Sequence, residues 1–214
     1  MRVLVACEES QRVCIEFRKL GHEAYSCDVI ECSGGHPEWH IMQDVLPLIN
    51  GRCTFNTMDG AEHTIDKTWD MLIAHPPCTH LCASGARWFT EGAKNKMLQD
   101  EAARFFMKFI EAECDRIAVE NPVGVMSTKF RKPDQIVNPW EFGHMEQKKT
   151  CLWLKGIPKL EGTSNVRAEM LNLPKKQRER LHYLSPSPTR SRERSKTFQG
   201  IARAMAEQWG GLEE

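Results

Sequence analysis

The chain has 214 residues, of which 41% are hydrophobic, and this suits one compact domain spanning residues 1–214. Its 29 basic and 29 acidic residues cancel, so the molecule as a whole is not a basic nucleic-acid binder, and any attraction to phosphate must be local. The nine cysteines are irregularly spaced, and the amino terminus turns polar too early for a signal peptide, so we predict a cytoplasmic protein. No apolar run approaches the roughly 20 residues that span a bilayer, so membrane insertion is not expected.

Hydrophobic patterns predict strands that alternate with helices. The predicted strands are "RVLVAC", "HEAYSCDVI", "WDMLIA", "DRIAVENP" and "TCLWLKGI", and "MQDVLPLI" is a candidate for a further short element. The predicted helices are "ESQRVCIEFRKLG", "GAKNKMLQDEAARFFMKFIEAEC" and "RSKTFQGIARAMAEQWG". The order predicts an α/β fold with a doubly wound, mostly parallel sheet covered on both faces. Residues 162–197, rich in Ser, Pro and Arg, are predicted to form a long loop or an insertion.

Reactive side chains follow several predicted strands directly. Glu8 and Asp28 come at the ends of the first two strands, and the segments "HPPC" and "ENP" come at the ends of two later ones. Ligands of open α/β sheets bind beyond the carboxyl ends of the strands, so we expect these groups to converge. Two consecutive prolines stiffen the loop that presents Cys78 at this edge.

Cys78 and Glu120 are more informative as a pair than singly. Taken alone, a cysteine is usually a small buried hydrophobe, and a glutamate is usually a cap or half of a surface ion pair. His75 is interpreted as a packing or loop residue. A thiol and an acid that face one cleft can perform conjugate addition to a ring, because the acid protonates a ring nitrogen as the sulfur attacks.

These segments resemble the DNA (cytosine-5) methyltransferases, whose signatures are a Pro-Pro-Cys loop and a Glu-Asn-Val loop. The resemblance extends along most of the chain and is closest to small phage-type and prophage-type members that lack a full target-recognition domain. It implies a fold of the S-adenosylmethionine-dependent methyltransferase type, with Cys78 as the nucleophile and Glu120 as the acid. "QKKTCLWLKG" lies where the family has Gln-x-Arg-x-Arg, and this places Lys149 at the first arginine, which helps to hold the cytosine, and Cys151 at the second.

The resemblance also implies S-adenosyl-L-methionine as the cofactor. The expected acidic contacts are Asp28, after the second strand, and Asp44, in "QDV", and the closing helix completes the pocket. The first loop departs from the family, because positions 7–12 read "CEESQR" where the family is glycine-rich so that the backbone can approach the cofactor. The complete set of expected cofactor residues is Ala6, Cys7, Glu8, Ser10, Asp28, Val29, Asp44 and Pro76.

Positive charge is concentrated near the carboxyl terminus. Between residues 165 and 200, nine basic residues stand against three acidic ones. Such a cluster suits either a phosphate-contacting surface or a solvated loop. The expected partner is DNA, single-stranded or duplex with a flipped cytosine, with free cytosine nucleotides as the alternative, and weak sequence selectivity is expected. The candidate phosphate contacts are Arg190, Arg192, Arg194 and Lys196.

A metal site and two other functions are alternatives to this interpretation. Cys27, Cys32, His36 and His40 have spacings that zinc tolerates, but they lack the arrangement of a structural site, so no metal is predicted and the segment is interpreted as a loop over the cofactor. The other functions are a non-catalytic nucleic-acid-binding protein on the same fold and an enzyme that modifies carbon 5 of cytosine with a different donor. The residues alone leave both open.

Overall fold

A computed structural model of the chain describes residues 1–83 and 96–211. Its strands are β1 (Arg2–Ala6), β2 (Glu23–Asp28), β3 (His40–Met42), β4 (Cys53–Asn56), β5 (Glu62–Ile65), β6 (Met71–Ala74), β7 (Ile117–Pro122), β8 (Gln135–Val137) and β9 (Thr150–Lys155). Its α-helices are α1 (Arg12–Lys19), α2 (Lys96–Ile110), α3 (Met126–Lys129), α4 (Arg167–Leu171), α5 (Lys175–Arg178), α6 (Arg190–Ser195) and α7 (Gln199–Gly210).

Seven strands form the central sheet in the order β3-β2-β1-β6-β7-β9-β8. The pairs from β3 to β7 are parallel, whereas β9 runs antiparallel between β7 and β8. The chain passes outward from β1 to β3 on one side and then continues with β6 on the other side of β1. The order therefore reverses between β1 and β6, and the crevice at their carboxyl ends is where ligands of such sheets bind. The predicted doubly wound, mostly parallel α/β sheet is confirmed.

The two faces of the sheet bury separate hydrophobic cores because side chains alternate along each strand. Val3 and Val5 of β1 lie in one core, and Leu4 and Ala6 lie in the other. The first core is covered by α1 and α7, whose Trp209 is fully buried and donates its indole N–H to the Pro158 carbonyl at 3.0 Å. The second core is covered by α2, α3 and the segment between β3 and β6.

The structure differs from the predicted elements in three places. The hairpin β4–β5 and the edge strand β8 were not predicted, and the segment 162–197 contains three short helices, α4 to α6, rather than a loop alone. The part of the predicted long helix at residues 92–95 lies outside the described residues, and the described helix begins at Lys96. Within residues 1–83 and 96–211, no helix is long and apolar enough to cross a membrane.

Candidate active site

The first loop, between β1 and α1, adopts a glycine-like backbone without any glycine. Cys7 and Gln11 have φ angles of 59° and 57°, in the left-handed region that non-glycine residues enter at a cost of about 1–3 kcal/mol. Tertiary contacts hold this conformation. The Gln11 side chain is fully buried, donates to the His36 carbonyl at 2.8 Å and accepts the His36 N–H at 3.1 Å. The loop at residues 33–36 therefore stabilises the backbone conformation of the first loop through these two hydrogen bonds.

Glu8 is a buried carboxylate at the start of α1. Its two oxygens accept the backbone N–H groups of Val13 at 2.7 Å and Cys14 at 3.2 Å, two of the groups that a helix start leaves without intrahelical partners. Burial raises the pKa of Glu8 to about 7, although the charge of His75 and these two hydrogen bonds act in the opposite direction. Glu8 therefore caps the start of α1 and changes its protonation state near neutral pH.

Four of the residues expected at the cofactor, Cys7, Asp28, Val29 and Asp44, lie together at the carboxyl ends of β1 to β3. Burial, followed by the charges of Asp28, the neighbouring Cys27 thiol and Asp44, raises the pKa of Cys7. Asp28 is half-buried, and burial raises its pKa as well. The adjoining Val29 is 71% exposed, so an apolar surface lies beside this acidic group.

The other expected cofactor residues are less accessible. Ala6, Ser10 and Pro76 are all buried in the described structure. The Ala6 carbonyl accepts the His75 N–H at 2.9 Å, within the pairing of β1 with β6. These residues shape the floor of the crevice rather than offer side chains to a ligand.

The Pro-Pro-Cys loop and the Glu-Asn-Pro segment are joined by a direct hydrogen bond. The buried side chain of Asn121 donates from Nδ2 to the Pro76 carbonyl at 2.8 Å. Cys78 then opens a helical turn, because its carbonyl accepts the N–H groups of Leu81 and Cys82 at 3.0 Å. The two loops touch again at Gly124, where a Cβ atom would lie 2.0 Å from the Leu81 carbonyl oxygen, so only glycine fits.

Cys78 and Glu120 lie close enough to influence each other electrostatically. Burial is the largest cause of a raised pKa at the Cys78 thiol, and the charges of Cys82 and Glu120 add to it. The charge of Lys148 lowers this pKa and so opposes the rise. Glu120 in turn accepts a hydrogen bond from His75, with 3.2 Å between Nδ1 and Oε2, and the two side chains are 7% and 15% exposed. The site therefore combines the expected thiol and acid with a histidine, His75, for which the sequence predicts only a packing or loop role.

Lys148 and the predicted Lys149 differ in the groups on which their charges act. The charge of Lys148 acts on His75, Cys78 and Glu120, whereas Lys149 is exposed and its charge acts on Cys151. The resemblance pointed to Lys149 because the motif places its basic residue two positions before Cys151. Lys148 has no counterpart in that motif, so the pattern gave no signal for it.

The basic segment lies over the site, and several of its charges are already paired. Arg192 forms an ion pair with the buried Glu9, at 3.3 Å from Nε to Oε2, and donates to the Glu31 carbonyl at 3.1 Å. Lys148 donates to the Arg194 carbonyl at 2.9 Å, so α6 is joined to the reactive side as well. Of the other candidate phosphate contacts, Lys196 pairs with Glu193 at 2.9 Å, and Arg190 donates to the His182 carbonyl at 3.4 Å.

The two histidines among the four residues with zinc-like spacing have separate partners. His40 is buried and contacts Ser26 at 2.8 Å through Nδ1 and the Ile30 carbonyl at 3.0 Å through Nε2. His36 pairs with Glu38 at 2.9 Å and stacks on Trp39. Across the described ranges, no group of three or more His, Cys, Asp or Glu side chains is arranged to hold a metal ion.

Comparison with known proteins adds no family assignment. The chain matches no model of a known protein family and no curated protein sequence. The class that fold and site define is thus a doubly wound α/β protein with a thiol, a carboxylate and a histidine at the carboxyl edge of its sheet.

Proposed function

We propose that the protein is a DNA cytosine-5 methyltransferase that uses S-adenosyl-L-methionine. The observation that carries the proposal is the 2.8 Å hydrogen bond from Asn121 to Pro76, because it locks together the two loops that present Cys78 and Glu120. A nucleophile and an acid must be held in fixed geometry around one ring, and rigid loops provide this. The confirmed fold class is the one that the resemblance to this family implies.

Each reactive residue has a distinct role in the proposal. The Cys78 thiolate adds to carbon 6 of cytosine, and Glu120 delivers a proton to N3 as negative charge develops on the ring. Because burial keeps the Cys78 thiol protonated, its activation needs a nearby positive charge, and Lys148 provides one. The thiolate leaves again after a proton is lost from carbon 5, so the enzyme is regenerated.

The residues beside the first loop fit the proposed cofactor. Asp28 offers a carboxylate for ribose hydroxyl groups, and the exposed Val29 offers an apolar surface for an adenine ring. S-adenosylmethionine, when bound there, supplies the methyl group for carbon 5.

DNA is the proposed substrate because the site lies at the carboxyl edge of the sheet, beside a basic segment. A target base in a duplex must leave the stack, which costs a few kcal/mol and favours single strands. Arg190 and Arg194, which have no ion-pair partner among the described residues, are the contacts that we expect to follow the phosphates. A cytoplasmic location belongs to the proposal as well, since none of the nine cysteines is in a disulfide.

The test is nucleoside mass spectrometry on DNA from cells that express the protein. We expect 5-methylcytosine with the wild type and none with Cys78→Ser. Cys82→Ser is the matched control, because this second thiol lies in the same turn. A single-stranded oligonucleotide that contains 5-fluorocytosine should form a covalent adduct with the wild type, since fluorine blocks the final elimination. An adduct that persists in Cys78→Ser would refute the assignment of the nucleophile.

A second candidate is the same attack on cytosine with a different donor. The first loop lacks glycine, and Glu8 takes two N–H groups at the start of α1 that a ligand could otherwise use. The mass spectra separate the candidates, because a different donor leaves a modified cytosine of another mass. Unmodified DNA together with salt-dependent binding would instead indicate a non-catalytic nucleic-acid-binding protein.

A further inference from the structure

His75 lies in the site although no motif assigns it a role. It directly follows β6, and β6 pairs in parallel with β7 in a register that sets Ala74 opposite Val119. The next residues along the two strands, His75 and Glu120, therefore meet at the sheet edge. Their side chains form the 3.2 Å contact between Nδ1 and Oε2, and the His75 side chain is 93% buried, since it is 7% exposed.

A buried histidine in contact with the proposed acid changes what that acid can do. A lone glutamate has an ordinary pKa of about 4.3, so near pH 7 it is ionised and holds no proton to deliver. A histidine hydrogen-bonded to that carboxylate holds a proton near neutral pH, one short transfer from the glutamate oxygen. The pair thus stores the proton that the addition step needs.

The charges around His75 favour this stored proton. Among the described residues, the charges that act on His75 are those of Glu120 from β7, Glu8 from the first loop, and Lys148 from the segment before β9. Burial alone would lower the pKa of His75, but the hydrogen bond to Glu120 and the charges of Glu120 and Glu8 outweigh burial and the charge of Lys148, so the pKa is raised. For Glu120, burial is likewise outweighed by the hydrogen bond from His75 and by the charges of Lys148 and His75, and its pKa is lowered.

We propose that His75 is a positioning residue that orients Glu120 and supplies, through it, the proton that N3 of cytosine receives. As the Cys78 sulfur bonds to carbon 6, the electron pair of the C5=C6 bond moves into the ring, and N3 takes a proton from Glu120. Glu120, which is ionised at the outset, passes on the proton that it receives from Nδ1 of His75 in the same step, and His75 becomes neutral. When the thiolate leaves, the proton returns from N3 to the pair, and the carbon 5 proton passes to solvent. This inference rests on the proposed function.

The first experiment measures the titration of His75 by NMR, independently of activity. In protein labelled with ¹⁵N-histidine, the signal lost in His75→Asn identifies the residue. We expect its pKa to lie above the ordinary value of about 6.5 and to fall in Glu120→Gln. His22→Gln, which alters a histidine at the opposite edge of the sheet, is the control and should leave the His75 titration unchanged. A His75 signal that does not respond to Glu120→Gln would overturn the proposal.

The second experiment compares pH profiles of methyl transfer to a single-stranded oligonucleotide. The wild type needs both the thiolate and the stored proton, so its rate should level off and then fall at high pH. His75→Asn should be about 100-fold slower near pH 7, the low end of the range for acid catalysis, and should keep gaining rate with pH as thiolate forms. Wild-type and variant profiles of the same shape would reject the relay. Absence of transfer and of the 5-fluorocytosine adduct in the wild type would reject the proposed function instead, while the NMR titration still decides whether His75 and Glu120 act as a pair.

Discussion

Replacing Glu8 with glutamine should change how the stability of the protein depends on pH. Burial raises the pKa of Glu8 to about 7, whereas an unfolded glutamate titrates at about 4.3. Between these values the folded state binds more protons than the unfolded state, so the stabilisation is present below about pH 4.3 and is lost as the pH rises toward 7. At about 1.4 kcal/mol per pH unit for one proton, Glu8 should remove about 2 kcal/mol of stability between pH 5 and pH 6.5.

Urea denaturation at several pH values measures this effect. Glu8→Gln should show a flatter decline of the unfolding free energy between pH 5 and pH 6.5 than the wild type. Its absolute stability is less informative, because the glutamine keeps only part of the hydrogen bonding to Val13 and Cys14. Glu62→Gln, which removes an exposed carboxylate from β5, is the control and should retain the wild-type slope. Equal slopes in the wild type and Glu8→Gln would show that Glu8 is ionised throughout this range.

Three further predictions concern the lysine pair, the loop contact and the acidic group. Lys148→Met should raise the pKa of Cys78 further and slow its alkylation by iodoacetamide at neutral pH, whereas Lys149→Met should not, as site-resolved mass spectrometry can show. Gly124→Ala should destabilise the protein by about 1–3 kcal/mol in chemical denaturation, since the new methyl group meets a backbone carbonyl at 2.0 Å. Asp28→Ala should weaken the binding of S-adenosylhomocysteine measured by calorimetry, and unchanged affinity would remove this residue from the proposed pocket.

The sheet was predictable because its central strands are uninterrupted apolar runs. All four residues of β6, Met71–Ala74, are apolar and buried, as expected for a strand covered on both faces. The hairpin β4–β5 was missed because its strands are short and largely polar, so its position depends on tertiary contacts. Phe55, for example, packs edge-on against Tyr25 of β2 with 5.1 Å between ring centroids. Similarly, β8 has three residues and is specified mainly by its pairing with β9.

The sequence predicts only those site residues that follow a predicted strand directly or belong to a motif. Cys78 and Glu120 could be assigned to one edge because parallel strands end together. The role of His75 depends on the register of β6 against β7, which places it beside Glu120 and which no sequence pattern specifies. The choice between Lys148 and Lys149 depends on the irregular backbone before β9, where the alternation of a strand does not apply.

The distribution of charge across the site bears on which part of a nucleic acid could enter it. Carboxylates line its floor, with Glu8 and Glu120 buried in the crevice and Asp28 beside the first loop. Positive charge lies at the rim, where Lys148 donates to the Arg194 carbonyl of α6 and Arg192 of α6 donates to the Glu31 carbonyl. A phosphate would be repelled from such a floor and attracted to such a rim, whereas a neutral base or a positively charged sulfonium would not be repelled. We therefore expect a bound strand to keep its backbone along α6 while one base reaches Cys78, which is the arrangement that attack on carbon 6 of cytosine requires.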